Sequence, residues 1–283
     1  MKPTALTLSL LLLLTACAAP PSPPPEAEQD VAADGSSPAA VEAASPGDST
    51  DKPLTDAEAI EHWRDDYAGL LLTCVTRDGR VKYDALKPQR VLLNRLVTDL
   101  ASARKFDSPA QQQAHLINAY NLLVIAALAQ REPPVSPGRI GGFFNLRRFE
   151  VGGEKLTLNE IRAKAVALGD ARSHLAMVQG AIGAPPLRTR PFRPDGLENQ
   201  LNFQCRRFVN DRRYVTTIGR TVLASSIFGW YQKDFEAAPF GSIRAFMEVF
   251  AEPGSTLARR LAGEDTETVI DMLEFNWAIN SPD

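Results

Sequence analysis

His174 is the one histidine in a setting suited to chemistry. It begins the run Ser173-His174-Leu175-Ala176-Met177-Val178-Gln179, and a glycine- and proline-rich loop from Gly180 to Pro186 follows directly. Side chains at the end of such a segment often face a cleft. An imidazole titrates near neutrality and can serve as a general base. The alternative is a histidine satisfied by backbone hydrogen bonds. Asn118 and Asn121 lie three apart, hence on one face of a helix that is otherwise apolar. Amides in that position either orient a ligand or His174, or bridge to a neighbouring loop, because an unpaired buried polar group costs about 1–3 kcal/mol. Gln179 can donate and accept hydrogen bonds but cannot act as a nucleophile. Trp230-Tyr231 reads as a core corner or a pocket wall.

Other reactive side chains offer less. Cys74 and Cys205 fall on the apolar stripes of their helices, as packed thiols do; a disulfide between them and a reactive thiol are the other readings. His62 and His115 sit in partly polar helical contexts and read as surface or boundary residues. With His174 they show no metal-ligand spacing, so neither a metal nor a cofactor is expected. Ser225-Ser226 precedes Ile227 without a Gly-x-Ser-x-Gly elbow, which favours a helix cap over a nucleophile.

The elements that position these residues read as one α+β domain over 54–283: mainly helical, with small antiparallel hairpins. Thr55 with Glu58 makes a capping box, followed by the stripe Ile60, Trp63, Tyr67, Leu70, Leu71, Cys74. Gly79 to Tyr83 reads as a turn into a short strand, and Val91 to Leu100 as a second helix. Leu116 to Ala129, apolar nearly all round, is a buried core helix, too short for a membrane span. Gly152-Gly153 marks a hairpin, and Thr157 with Glu160 a second capping box. Asp195 with Glu198 opens a helix carrying Leu197, Leu201, Cys205 and Phe208. Tyr214 to Ile218 pairs with Thr221 to Ala224, and a short aromatic helix spans Ile227 to Phe235.

The 283 residues carry a formal net charge of −3, with 44% hydrophobic and 23% charged residues. That is ordinary globular composition, and near-neutral charge gives no electrostatic case for nucleic acid. The N-terminus differs. Lys2, the apolar run Leu6 to Leu14 and the ending Leu14-Thr15-Ala16-Cys17 resemble a bacterial lipoprotein signal peptide over 1–16. By that resemblance Cys17 is lipidated and anchors the chain to a membrane. Ala18, not Asp, follows, which favours the outer membrane facing the periplasm. Residues 18–53 hold eight Pro, nine Ala, seven Asp or Glu and no aromatic residue, so 17–53 reads as a lipidated cysteine with a disordered tether.

Five segments in order carry a further resemblance: Leu116 to Asn121, Leu156 to Ile161, His174 to Leu187, Leu223 to Phe235 and Phe275 to Asn280. Together they resemble proteins carrying the domain of unknown function 547, over about residues 55–281 and most firmly over 115–236. The resemblance implies a Cys where this chain has Gln179, another where it has Ala184, and a closing strand over Phe275–Asn280. A Cys beside a His would suggest thiol chemistry. Without those thiols, the expectation is an exported, lipid-anchored cell-envelope protein whose domain is a non-catalytic binding or scaffold module. Its partner would be an envelope protein or a small-molecule ligand. The alternative is a hydrolase or acyl-transferring enzyme with His174 as general base.

Overall fold

The computed structural model describes residues 53–131, 134–263 and 268–282. The expected signal peptide, Cys17 and the expected tether up to Lys52 lie outside the described residues. Helix α1 (Asp56–Cys74) opens with the predicted capping box: the Thr55 hydroxyl accepts from the Glu58 N–H at 3.3 Å, and the Glu58 carboxylate accepts from the Thr55 N–H at 2.8 Å. Its apolar stripe is buried throughout. Val75 and Val81 then form a single antiparallel bridge, where a short strand was expected, and a 3-10 turn over Tyr83–Leu86 leads into α2 (Arg90–Asp99).

Helix α3 (Pro109–Ala129) is capped by Ser108, with Pro109 in the first turn, where a missing N–H costs nothing. Every side chain from Gln113 to Leu128 is buried, so the helix forms the spine of the first core with α1, α2 and α4 around it. Strands β1 (Arg148–Val151) and β2 (Glu154–Thr157) pair antiparallel about Gly152-Gly153, both at positive φ. Helix α4 (Leu158–Ala167) follows at once, started by the Thr157–Glu160 capping box.

After a 3-10 turn over Ala171–Leu175, irregular chain runs to α5 (Leu197–Val209). This helix starts later than the Asp195 cap predicted. Gly196, at φ +69°, stands immediately before it, and Asp195 gives its carbonyl to the Gln200 amide at 3.0 Å. Strands β3 (Val215–Ile218) and β4 (Thr221–Ser225) form the expected hairpin. The aromatic helix expected over 227–235 is two helices, α6 (Ser226–Trp230) and α7 (Gln232–Glu236), broken at Tyr231. Helices α8 (Ile243–Phe250) and α9 (Thr256–Ala262) lead to β5 (Val269–Leu273), which pairs parallel to β4 and completes a three-stranded sheet.

Phe275–Asn280 is not a closing strand. Its hydrogen bonds scatter: Asn276 O accepts from Gly183 N–H, Ala278 O from Ile182 N–H, and Asn280 O from Val81 N–H. Only Ala181↔Ile279 counts as a bridge there. The whole is α+β, as the sequence reading has it. A second apolar core gathers α5 to α9 and the three-stranded sheet. The segment 171–192 threads between the cores, with Met177 and Val178 in the first and Leu175 and Ala181 in the second. His174 therefore stands at the seam.

Candidate functional site

The turn that carries His174 is locked from below. The Asp170 carboxylate accepts from the Arg172 N–H at 2.9 Å and pairs with the Arg172 guanidinium, which also reaches Glu198 at 2.7 Å. His174 is 2% exposed. Its Nε2 lies 2.8 Å from Asp234 Oδ2, and its ring stacks on Tyr231 with centroids 3.8 Å apart and planes 12° from parallel. A carboxylate only accepts, so Nε2 carries the proton and Nδ1 is the bare nitrogen. Nδ1 is buried without a hydrogen-bond partner. Burial pushes the imidazole pKa down to about 4; Arg162 adds to the shift and Asp234 opposes it. The Asp234 carboxylate is 47% exposed, so the pair runs from solvent into the seam.

Arg162 forms the inner wall. It projects from the buried stripe of α4, which also holds Leu158, Ile161 and Ala165, and is 3% exposed. Its guanidinium lies over the Tyr120 ring at 4.6 Å and the Tyr231 ring at 5.1 Å, and donates to the Tyr120 hydroxyl. With the Gln179 amide turned so that its oxygen faces Arg162, that oxygen accepts from Nη2 at 2.9 Å and Nη1 at 3.3 Å. Nε has no partner. No carboxylate of the described residues forms an ion pair with this guanidinium.

Of the residues the sequence singles out, His174, Gln179 and Tyr231 therefore share one cluster. Arg162 and Asp234 belong to it as well, although sequence reasoning missed both. An arginine in the apolar stripe of a helix is the signal that would have found Arg162. Asp234 lies within the aromatic segment but carries no local mark.

Asn118 and Asn121 face elsewhere. Asn118 clasps Phe192, accepting from its N–H and donating to its carbonyl, both at 2.8 Å. Asn121 clasps Ala176 O at 2.9 Å and Val178 N–H at 2.8 Å. Each amide thus satisfies one donor and one acceptor of the threading segment. Trp230 turns away from His174 into a group with Phe275 at 4.7 Å and Trp277 at 5.7 Å.

Cys74 and Cys205 are free and buried in different cores, and burial raises both thiol pKa values, Cys74 to about 12. Ser225 caps α6, and Ser226 donates to Leu273 O. His62 is exposed, as a surface residue should be. His115 is not: it is buried between the Trp63 and Phe106 rings, because α3 is enclosed on all sides there. Among the described residues no three His, Cys, Asp or Glu side chains gather as a metal ion would require.

Residues 104–209 match the family described as "Protein of unknown function, DUF547". The matched stretch runs from before α3 to the end of α5 and includes Arg162, His174 and Gln179; Tyr231 and Asp234 lie beyond it. No curated protein and no solved structure matches the chain.

Proposed function

Taking that family match as premise, we propose that this is a lipid-anchored cell-envelope protein whose globular domain is a non-catalytic binding or scaffold module. The observation that carries the reading is Gln179. It occupies the position where the family resemblance implies a Cys, and its amide oxygen is spent on the buried Arg162 guanidinium. A thiol there would have had the Arg162 cation beside it to favour the thiolate; an amide has no such chemistry. His174 itself is poorly placed as a base. Burial takes its pKa down to about 4, which makes it a weak proton acceptor at neutral pH, and its free nitrogen, Nδ1, is enclosed. The two cysteines, buried with raised pKa values, supply no thiolate in place of the missing one. Anchoring rests on the Lys2-to-Cys17 pattern and export on the same segment.

A second reading, a hydrolase or acyl-transferring enzyme, draws on the 2.8 Å His174–Asp234 pair, which has the form of a base and its orienting carboxylate. Turnover of p-nitrophenyl ester and thioester probes by the full chain separates the two. The binding reading expects wild type and His174→Ala to match the buffer rate. Hydrolysis that depends on His174 would establish the enzyme reading instead.

A further inference from the structure

Arg162 is a buried cation with no carboxylate partner among the described residues. A guanidinium remains protonated at any working pH, and burying an ion costs several kcal/mol unless an opposite charge compensates it. Here the compensation is neutral throughout: two phenol rings, one phenol oxygen and one amide oxygen. Asp234, the carboxylate of the cluster, bonds His174 and not the guanidinium. Two nitrogen atoms, Arg162 Nε and His174 Nδ1, are buried without partners. Both groups lie against the same Tyr231 ring, which is only half-buried and sits where α6 breaks into α7.

We infer that Arg162, His174 and Gln179 form an internal site for a small oxyanion, entered when the Tyr231 ring moves aside. The inference rests on the binding-module reading and names its ligand class. One anion oxygen accepts from Arg162 Nε. A second meets His174 Nδ1, which must first take a proton to become a donor. That proton comes from solvent, the imidazole becomes imidazolium between Asp234 and the anion, and no other covalent bond changes. Binding and proton uptake are therefore linked, and affinity rises as pH falls.

Two charged groups of opposite sign face His174. Asp234 from α7 stabilises the imidazolium. Arg162 from α4 opposes it until an anion neutralises the guanidinium. Tyr231 and Phe235 bring only rings, and Tyr120 from α3 acts through Arg162. On the turn of His174 itself, Arg172 is held by Asp170 and Glu198.

Acetate and sulfate, with chloride as reference, are suitable probes of the full chain, because they separate a planar carboxylate from a tetrahedral anion. Thermal unfolding and the ¹⁵N resonance of His174 Nδ1 are the readouts. Expected is saturable stabilisation by one of the two, about a hundredfold tighter at pH 5.5 than at pH 7.5 because one proton is taken up per anion over two pH units above the free ring's pKa, with Nδ1 moving to the imidazolium position. Sulfate also stabilises proteins non-specifically, so saturation and the Nδ1 shift are required together. Arg162→Gln should abolish the response. Should that variant fail to fold, Tyr231→Ala decides, since removing the competing ring should tighten binding about tenfold. No saturable response in wild type and Tyr231→Ala, or equal affinity at both pH values, overturns the site. Ester turnover bears on the binding-module reading alone, so the two failures are distinguishable.

Discussion

His115 and His174 are both buried as neutral rings, with pKa values pushed by burial to about 4. In the unfolded chain each takes up a proton near its ordinary value, about 6.5. The stability tied to their neutral burial is complete above that value and declines as pH falls from about 6.5 to about 4. A shift of this size corresponds to about 3 kcal/mol per histidine at most. Urea unfolding should accordingly show a lower midpoint at pH 4.5 than at pH 7.5, with a smaller drop in His115→Phe. An unchanged drop would mean that His115 is protonated in the fold. Asn121→Ala should cost about 2–4 kcal/mol by the same assay, because it leaves Ala176 O and Val178 N–H without a partner. A cost under 1 kcal/mol would show that water replaces the clasp. The sequence made the two amides visible as polar breaks in an apolar helix, but their partners lie more than fifty residues away. His115 was misjudged for the same reason: polar neighbours in sequence said nothing of the Trp63 ring from α1 that covers it.

Elements with local instructions were legible. The two capping boxes, the Gly152-Gly153 hairpin and the buried α3 follow from residues within a few positions of one another. What depended on remote partners was not. The parallel pairing of β5 with β4 requires four intervening helices to return the chain, and Phe275–Asn280 is held by two remote stretches of backbone, Gly180–Gly183 and Val81. At the break between α6 and α7 the Tyr231 ring stacks on His174, a contact no helical periodicity encodes. Glycines give a test at this scale. Gly180 has φ +72°, and an added Cβ would lie 2.4 Å from Leu128 Cδ1 and 3.1 Å from Val124 Cγ1. Gly219 has φ +57° with nothing within 4 Å. Both substitutions to Ala carry the left-handed backbone cost of about 1–2 kcal/mol. Only Gly180→Ala adds a clash in the core, so it should lower the unfolding midpoint clearly more than Gly219→Ala. Equal effects would mean that α3 yields freely at that point.

At the scale of the molecule, two apolar cores meet along 171–192, and the His174 cluster closes the seam between them. The match over residues 104–209 covers the inner side of that seam, and α6 and α7 supply Tyr231 and Asp234 from outside it. His174, Gln179 and Tyr231 were legible in the sequence; Arg162 from the inner side and Asp234 from the outer became visible only once the two cores were assembled. For the whole chain the proposal of an anchor predicts that Cys17→Ala moves the protein from the membrane fraction to the soluble fraction after cell lysis. Continued sedimentation with membranes would remove the lipid from the account. The most direct test of the central claim, that His174 without a bound anion is an enclosed neutral imidazole and not a working base, is its own titration. Followed by ¹⁵N NMR in buffer free of acetate and sulfate, the His174 ring should remain neutral with the proton on Nε2 and titrate near pH 4. A midpoint near the ordinary value of about 6.5 would show an open imidazole and contradict the account.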